Sequence, residues 1–365
     1  MKHPAKTPLL RKKAFFGLHF DLHPVKEDTQ LGNDLTEEMV ERLLKKVKPD
    51  YVQYDCKGCP GYAGYPTKIG WPSPGIKKDS LAIWRKVTRM HGVALFVHYS
   101  GVWDSVAIEH HPEWACMDAA GKPDKNMTST FSPYVDKLLI PQLKEIVDTY
   151  DVDGAWVDAD CWAAQPDFGL AARTAFTQAT GIKEIPTKHG DPCWLEYLAF
   201  NREQFKKYVR KYVDALHIHR SGLEITSNWM FSTLMPEPVT VPIDFLSGDY
   251  SSQGSVDTAR LEARYLSSTG KPWDLMAWGF NRGDNCHYGW TFKTARQLQQ
   301  EAVVVLAQGG GFQFVCHPTR SGLIEDRLMD MMAEVAQFCR ARQAVSHQTQ
   351  SVPQVALLFP GKSIY

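Results

Sequence analysis

The feature that most constrains the fold is a regular alternation of short apolar runs with longer stretches of helical periodicity. Strands that alternate with helices are typical of parallel α/β folds, in which each helix returns the chain to the next strand. Eight runs of this kind match a closed barrel, so the sequence predicts an α/β fold of the (β/α)₈ TIM-barrel type. The eight strand candidates are Phe15–Phe20, Tyr51–Asp55, Val93–Tyr99, Gly154–Val157, Leu223–Ser227, Ile243–Ser247, Trp273–Ala277 and Gly311–Val315.

Most of the intervals between the strand candidates contain apolar residues at helical spacing. The first helix is predicted from the spacing of Met39, Leu43 and Val47, behind a capping pair formed by Asp34 and Glu37. The chain between the fifth and sixth strands, Trp229–Pro242, is predicted to be a loop. The other predicted helices are Leu81–Met90, Leu138–Tyr150, Phe200–Ile218, Val256–Leu266, Thr294–Ala307 and Ile324–Arg342.

The last residues depart from this pattern. Ser351–Phe359 has the composition of a ninth strand, and Pro360-Gly361 follows it. Two interpretations are open: the first strand of a further, truncated α/β domain, or a terminal strand packed on the outside of the barrel. The predicted division is a catalytic barrel over residues 1–345 and a C-terminal strand over residues 346–365.

Composition excludes several functional classes. The net charge is +0, which argues against nucleic-acid binding. No apolar run approaches the roughly 20 residues of a membrane span, and residues 1–13 lack the apolar core of a secretory signal. The 8 cysteines are scattered, and Cys56 and Cys59 have no partner pair at zinc spacing. We therefore predict a reduced, cytoplasmic protein without cofactor, and the sequence leaves a homo-oligomer open.

The fourth strand candidate ends in a carboxylate, Asp158, and Asp160 and Trp162 follow closely. Catalytic residues of a TIM barrel lie at the C-terminal ends of its strands, so Asp158 is a candidate catalytic group. The alternative is that Asp158 caps the next helix or turn. Alternation would place Asp160 on the same face as Asp158, where it could substitute for it.

Polar residues also follow the first strand. His19, Asp21 and His23 alternate and would share one face. Histidine and carboxylate suit divalent metals, but a metallohydrolase would need more histidines after the fifth and sixth strands, where Asn228 and Asp249 stand. We favour binding of substrate hydroxyl groups, and a metal-dependent hydrolase remains the alternative.

Carbohydrate chemistry is favoured because tryptophans accompany the carboxylates at the strand ends, including Trp290. Glycoside cleavage normally uses two carboxylates, and Asp249 is the best-placed second one. Glu224 is too early in its strand and should point to the lower layers of the barrel, and Asp284 lies in a loop. The residues predicted to bind substrate are His19, Asp21, His23, Lys57, Tyr62, Tyr65, His98, Trp103, Asp160, Trp162, Asn228, Trp229, Trp278 and His317.

Segments across the predicted barrel resemble the α-L-fucosidase-like glycoside hydrolases of families 29 and 151 and related glycosidases. The segments that carry the resemblance are Phe16–Phe20, Gly61–Lys68, His111–Trp114, Trp156–Asp158, Phe245–Tyr250, Pro272–Asn281 and Gly309–Pro318. One departure is Lys57-Gly58-Cys59, which stands where family 29 has paired histidines that contact the fucose hydroxyls.

The resemblance implies a retaining, exo-acting glycosidase with a carbohydrate substrate. In that group the aspartate at the position of Asp158 is the nucleophile. Asp249 stands where the acid/base occurs, which is usually a glutamate there. A third hypothesis is a sugar-binding barrel without catalysis.

Overall fold

The computed structural model describes residues 9–251, 254–282, 290–356 and 358, with only the backbone at Arg282 and Trp290. Eight parallel strands form one sheet with the hydrogen-bonded order β5-β4-β3-β2-β1-β8-β7-β6. They are β1 (Phe16–Phe20), β2 (Tyr51–Lys57), β3 (Ala94–Ser100), β4 (Gly154–Asp158), β5 (Glu224–Ser227), β6 (Leu246–Asp249), β7 (Trp273–Trp278) and β8 (Gly311–Cys316).

The barrel nearly closes between β5 and β6. No ladder joins these two strands within the described chain, but Asp244 N donates to Ile225 O at 2.9 Å. The Thr226 hydroxyl donates to Phe245 O at 2.6 Å. The predicted (β/α)₈ barrel is confirmed, and each predicted strand overlaps an observed one.

Seven helices pack around the strands in the described chain. They are α1 (Glu37–Val47), α2 (Ser80–His91), α3 (Ile140–Tyr150), α4 (Trp194–His219), α5 (Ser255–Ser267), α6 (Ala295–Leu306) and α7 (Asp326–Arg340). The interval between β5 and β6 contains no helix, as predicted. A further helix, Leu170–Thr180, lies in the long β4–α4 connection and was missed because it buries only Ala172 and Phe176.

The cap of α1 differs from the prediction. Thr36, rather than Asp34, accepts a hydrogen bond from Met39 N at 3.1 Å, because Thr36 is the residue with extended backbone directly before the helix. The apolar face of α1 then runs through Met39, Leu43 and Val47 as expected.

A buried polar cluster closes the N-terminal end of the barrel. The Arg11 guanidinium donates to Asp274 Oδ2 at 2.7 Å and lies 3.6 Å from the centre of the Tyr51 ring. Glu224 accepts from Arg11 N at 2.6 Å, which confirms that this glutamate points to the lower layers. The opposite, C-terminal end is therefore the open one.

Loops at the C-terminal end form the mouth of the barrel. A hairpin, Ala115–Met117 with Pro123–Thr128, follows β3, and the turn Asp160–Ala164 follows β4. Phe280–Arg282 pairs with Trp290–Phe292 after β7. The predicted Asp284 and the side chain of Trp290 lie outside the described residues.

The C-terminal segment and the cysteines bear on two further predictions. Residues 351–356 form no strand and are exposed, so the prediction of a ninth strand over these residues is wrong. Residues 357 and 359–365 lie outside the described chain.

The seven cysteines of the described chain are free thiols. No helix of that part is long and apolar enough to cross a membrane. Cytoplasmic location, oligomeric state and the boundary at residue 346 stay predictions.

Candidate active site

Asp158 is the last residue of β4, and its carboxylate is held at the mouth by two polar side chains. Asn228 Nδ2 donates to Asp158 Oδ1 at 2.8 Å, and His98 Nε2 lies 3.2 Å from Asp158 Oδ2. Cys59 Sγ lies 3.8 Å from the same oxygen. Burial favours the neutral carboxyl, but the hydrogen bond and charge of His98 outweigh it and keep the pKa of Asp158 below its ordinary value. Asp158 is therefore ionised at neutral pH.

His98, on β3, is the link between Asp158 and two further carboxylates. It is 1% exposed, and its Nδ1 lies 3.4 Å from Asp21 Oδ1 and 3.7 Å from Asp55 Oδ1. Burial alone would lower the pKa of His98, but Asp55, Asp158 and Asp21 raise it well above its ordinary value. The imidazolium is therefore shared among three acidic groups.

Asp249, the last residue of β6, is in a different electrostatic environment. Trp278 Nε1 donates to Asp249 Oδ2 at 3.2 Å. Burial, and then the negative charge of Asp158, raise the pKa of Asp249 to about 6. The two mouth carboxylates thus interact, and one is kept ionised while the other holds a proton up to near-neutral pH.

Asp21 and His23 form a second contact pair beside His98. His23 Nε2 lies 2.9 Å from Asp21 Oδ1, and Cys59 N donates to His23 Nδ1 at 3.0 Å. Burial opposes ionisation, but His23 and His98 hold the pKa of Asp21 well below its usual range. His317 Nε2 approaches Asp21 Oδ2 at 4.0 Å. Residues after β1 and β8 thus lie close to His98.

His19 lies beneath this pair. Its ring is 2% exposed and makes an edge contact with His98, with centroids 5.0 Å apart. Burial and the nearby His98 charge lower the pKa of His19 well below its ordinary value, so this imidazole is neutral.

Two overlapping groups have the composition of a metal site. Potential ligand atoms of His19, Asp21 and His98, and of Asp21, His23 and Asp55, lie within 4.8 Å of one another. Metal binding requires neutral imidazoles. Asp55, Asp158 and Asp21 favour the imidazolium of His98 and thus an ion-pair network, whereas His23 Nδ1 accepts from Cys59 N and His19 is neutral. The protonation of His98 therefore distinguishes an ion-pair network from a metal centre.

Tryptophans surround the carboxylates. The Trp229 ring lies against Gly248, where an added Cβ would come within 3.2 Å of it, and Trp229 adopts φ 61°. Trp278 stacks on Phe280 with ring centroids 5.2 Å apart. Trp103 and Trp162 stack on each other at 6.0 Å on the side of β3 and β4. Tyr62 is half-buried in the loop after β2.

Two residues predicted to bind substrate after β2 are directed elsewhere. Lys57 is fully buried, and its ammonium contacts Asp104 Oδ2 at 2.8 Å and donates to Ser100 O at 3.0 Å. Tyr65 is 1% exposed and donates to Glu145 Oε2 at 3.1 Å. The polar partners of both side chains lie within the protein, so these two predictions are corrected.

Asp160 does not share the face of Asp158. Ala159 takes a left-handed backbone with φ 59°, which ends the strand alternation and turns Asp160 away from the mouth. Its Oδ2 accepts from Tyr212 OH on α4 at 2.7 Å and from Ser227 Oγ at 3.1 Å. Burial raises the pKa of Asp160 to about 7. Its position behind the strands leaves it no route to a substrate.

Sequence reasoning missed two residues of the site. The apolar pattern places Asp55 only at the end of its strand, but β2 continues to Lys57 and buries Asp55 beside His98. Cys59 was weighed only as part of a CxxC pair, although its backbone and thiol contact His23 and Asp158. In β2 the polar residues Gln53, Asp55 and Lys57 alternate with apolar ones, and this polar face of the strand was the available signal for Asp55.

Comparisons with known proteins agree with this architecture. A structure of α-L-fucosidase isoenzyme 2 from Paenibacillus thiaminolyticus is 19% identical with a TM-score of 0.75; the match covers 91% of this chain and 50% of that one. An α-L-fucosidase from Vibrio sp. is 14% identical with a TM-score of 0.58, and the match covers 94% of this chain and 56% of that one. The Thermotoga maritima α-fucosidase is 16% identical with a TM-score of 0.55, and the match covers 95% of this chain and 76% of that one.

At these identities the structural likeness shows the fold, and the chain spans about half the length of the first two structures. A search of curated proteins gave no match. The sequence model of the α-L-fucosidase family, however, matches residues 50–343, which include β2 to β8 and all the carboxylates around His98 except Asp21. Because this match extends over most of the sequence, the chain belongs to the α-L-fucosidase family.

Proposed function

We propose that this chain is a retaining, exo-acting glycosidase for α-L-fucosides, with Asp158 as nucleophile and Asp249 as acid/base. The observation that carries the proposal is the opposite environment of the two carboxylates at one barrel mouth. His98 and Asn228 favour ionised Asp158, whereas burial and the charge of Asp158 favour protonated Asp249. Two carboxyl groups with separated pKa values are what acid and nucleophile roles require.

In the first step, Asp158 would attack the anomeric carbon while Asp249 donates its proton to the departing glycosidic oxygen. The bond to the leaving group breaks and a covalent glycosyl ester forms. In the second step, Asp249, now ionised, would take a proton from water as the water oxygen attacks the same carbon. Cleavage of the ester returns Asp158 as a carboxylate, Asp249 regains its proton, and the sugar leaves with its original anomeric configuration.

The groups around Asp158 suit the binding of a deoxy sugar in this scheme. His19, Asp21 and His98 are polar and lie below the mouth, while Trp229 and Trp278 offer apolar faces. Sugar hydroxyl groups could bond to the first set and the C–H face could pack on the second. His23, Asn228 and His317 belong to the same predicted set of substrate contacts.

Trapping the intermediate tests the proposal directly. The protein is incubated with 2-deoxy-2-fluoro-α-L-fucosyl fluoride, whose fluorine slows breakdown of the glycosyl ester, and peptides are analysed by mass spectrometry. A mass increase of one fluorofucosyl group on the peptide containing Asp158, absent from Asp158→Asn, is expected. Label on another carboxylate, or release of inverted product seen by NMR, would contradict the assigned roles.

A metal-dependent hydrolase is the second candidate, because the His19, Asp21 and His98 atoms have metal-ligand spacing. Treatment with a chelator followed by gel filtration separates the two candidates. The ion-pair network predicts unchanged hydrolysis of the fucoside and no stoichiometric metal by elemental analysis. Loss of activity that a single divalent metal restores would favour the second candidate.

A further inference from the structure

A buried ion pair lies behind the proposed acid/base, outside the cluster around His98. Lys293 Nζ contacts Glu301 Oε1 at 2.7 Å, and both side chains are only 2% exposed. Replacing a buried ion pair by apolar side chains of similar volume is often neutral or stabilising, because taking two charges out of water costs free energy. The pair is therefore weak evidence for stability, and the segments that it joins indicate another role.

Glu301, on α6, bonds to both ends of the segment that follows β6. Its Oε2 accepts from Tyr250 OH at 2.9 Å, and its Oε1 accepts from the hydroxyl of Ser255, the first residue of α5, at 2.7 Å. Burial, and then the charge of Glu301, raise the pKa of Tyr250 well above its ordinary value. The tyrosine hydroxyl therefore keeps its proton and remains the donor.

Tyr250 directly follows Asp249, the proposed acid/base. Successive side chains of an extended chain point to opposite faces, so a carboxylate that faces the mouth is followed by a side chain that points outward. Tyr250 is 2% exposed, and its contact with Glu301 places it against α6. This hydrogen bond therefore anchors the backbone beside Asp249 from behind the strand.

Lys293 connects Glu301 to a partner of Asp249. Lys293 directly follows the hairpin after β7, and its N donates to Gly279 O at 3.0 Å. Gly279 follows Trp278, whose Nε1 donates to Asp249 Oδ2 at 3.2 Å. The ion pair thus ties to α6 the segment that carries a hydrogen-bond donor of Asp249.

We propose that Glu301 is a positioning residue for the acid/base, an inference that rests on the proposed function. Through Tyr250 it holds the backbone that carries the acid/base, and through Lys293 it holds the segment that carries Trp278. The direction in which Asp249 presents its proton then depends on one buried carboxylate behind the mouth. A displacement of about 1 Å at a reacting group can cost on the order of 10²-fold in rate.

Tyr250→Phe tests the inference on aryl α-L-fucosides with different leaving groups. Removal of one hydroxyl group leaves the volume of the side chain nearly unchanged, so the protein should fold. A phenyl fucoside needs proton donation to its leaving oxygen, whereas a 2,4-dinitrophenyl fucoside needs little. We expect kcat/KM to fall about tenfold for the phenyl fucoside, a part of the roughly 10²–10⁴-fold from general acid catalysis, and less than about twofold for the dinitrophenyl fucoside.

Two further variants complete the design. Glu301→Gln should show the same dependence on the leaving group with larger losses per folded molecule, because Lys293 also loses its ionic partner. Tyr150→Phe is the matched control, since it also removes a buried hydroxyl that donates to a carboxylate, Asp79 Oδ2, at 2.8 Å. The control should change neither rate.

Each outcome decides the inference or the proposed function. Equal losses on both fucosides in Tyr250→Phe, no loss on the phenyl fucoside, or a selective loss that Glu301→Gln does not share would overturn the role of Glu301. If Asp249→Ala shows no dependence on the leaving group, or the wild type is inactive on every fucoside, the proposed function fails instead.

In either of these last two cases the crystal structure of Tyr250→Phe still decides the positioning. The contact between Trp278 Nε1 and Asp249 Oδ2 should lengthen beyond about 3.5 Å in the variant, where it is no longer a hydrogen bond. An unchanged contact would overturn the inference.

Discussion

Two buried polar clusters lie at opposite ends of the same barrel, and they differ in how completely their groups are paired. At the N-terminal end, Arg11 bonds to Asp274 and Glu224, and Ser247 Oγ donates to Asp274 Oδ1 at 2.6 Å. None of these residues has a buried side-chain atom without a hydrogen-bond partner in the described chain; Gln313, whose amide donates to Tyr51 OH at 3.2 Å, has one, Oε1. The cluster is closed and is expected to serve stability.

At the C-terminal end many buried atoms lack a well-oriented hydrogen bond within the described chain. They are His19 Nε2, Asp21 Oδ1, Asp55 Oδ1, both ring nitrogens of His98, Asn228 Oδ1 and Asp249 Oδ1. Unsatisfied buried polar groups cost free energy and persist where function requires them. The difference teaches that burial of charge does not by itself identify a site; the concentration of unpartnered atoms around Asp158 and Asp249 is what distinguishes this end of the barrel.

The largest expected effect is at the mouth. Asp158→Asn should lower kcat on an aryl α-L-fucoside by on the order of 10⁴-fold, because an amide cannot form the glycosyl ester. The melting temperature should fall moderately, because the ion pair with His98 is lost while the amide keeps the volume and still accepts from Asn228. Turnover assays with calorimetry measure both quantities, and a near-normal rate would remove Asp158 from the mechanism.

Asp249→Ala should slow turnover by about 10²–10⁴-fold, because proton donation to the leaving oxygen is lost. Sodium azide should restore part of the rate on an activated aryl fucoside by attacking the glycosyl enzyme without a general base. In the wild type the basic limb of kcat/KM should lie near pH 6, since Asp249 loses its proton above its raised pKa of about 6. If the basic limb of kcat/KM is still present in Asp249→Ala, it belongs to another titrating group.

Removing a charge from the closed end should act on stability instead. Arg11→Ala leaves Asp274 buried without its partner and should lower the free energy of unfolding by about 3–5 kcal/mol. Lys12→Ala, at the exposed neighbouring position, is the matched control. Denaturant unfolding gives the loss, and the rate per folded molecule should be unchanged. A large loss of rate in folded Arg11→Ala would break the contrast between the two ends.

At His98 the effect expected on activity is a shift of the pH profile, beside a loss of stability, because Asp21, Asp55 and Asp158 lose their shared partner. His98→Gln removes the positive charge beside Asp158, so the pKa of Asp158 should rise and the acidic limb of kcat/KM should move to higher pH. A shift of one pH unit corresponds to about tenfold in rate on that limb. His219→Gln, a surface histidine paired with Asp148, is the control. A uniform loss at all pH values would indicate a structural role instead of control of the nucleophile's charge.

Much of the architecture and part of the site could be predicted from local pattern. Strand runs and helical spacing depend on neighbours in sequence, which is why local pattern predicts the eight strands and places Asp158 and Asp249 at or just after strand ends. The helix Leu170–Thr180 was missed because its apolar face is narrow. The prediction that Asp160 shares a face with Asp158 was wrong, because Ala159 has a left-handed backbone and reverses the direction of the next side chain.

The sequence by itself determined the repeating units, because burial of one face of each strand and helix requires a fixed apolar period. Only the tertiary structure decided which polar residues share the mouth. Lys57 and Asp55 stand two positions apart on β2, yet one forms an ion pair with Asp104 outside the site and the other approaches His98. That choice depends on partners distant in sequence, whose positions are fixed by closure of the barrel.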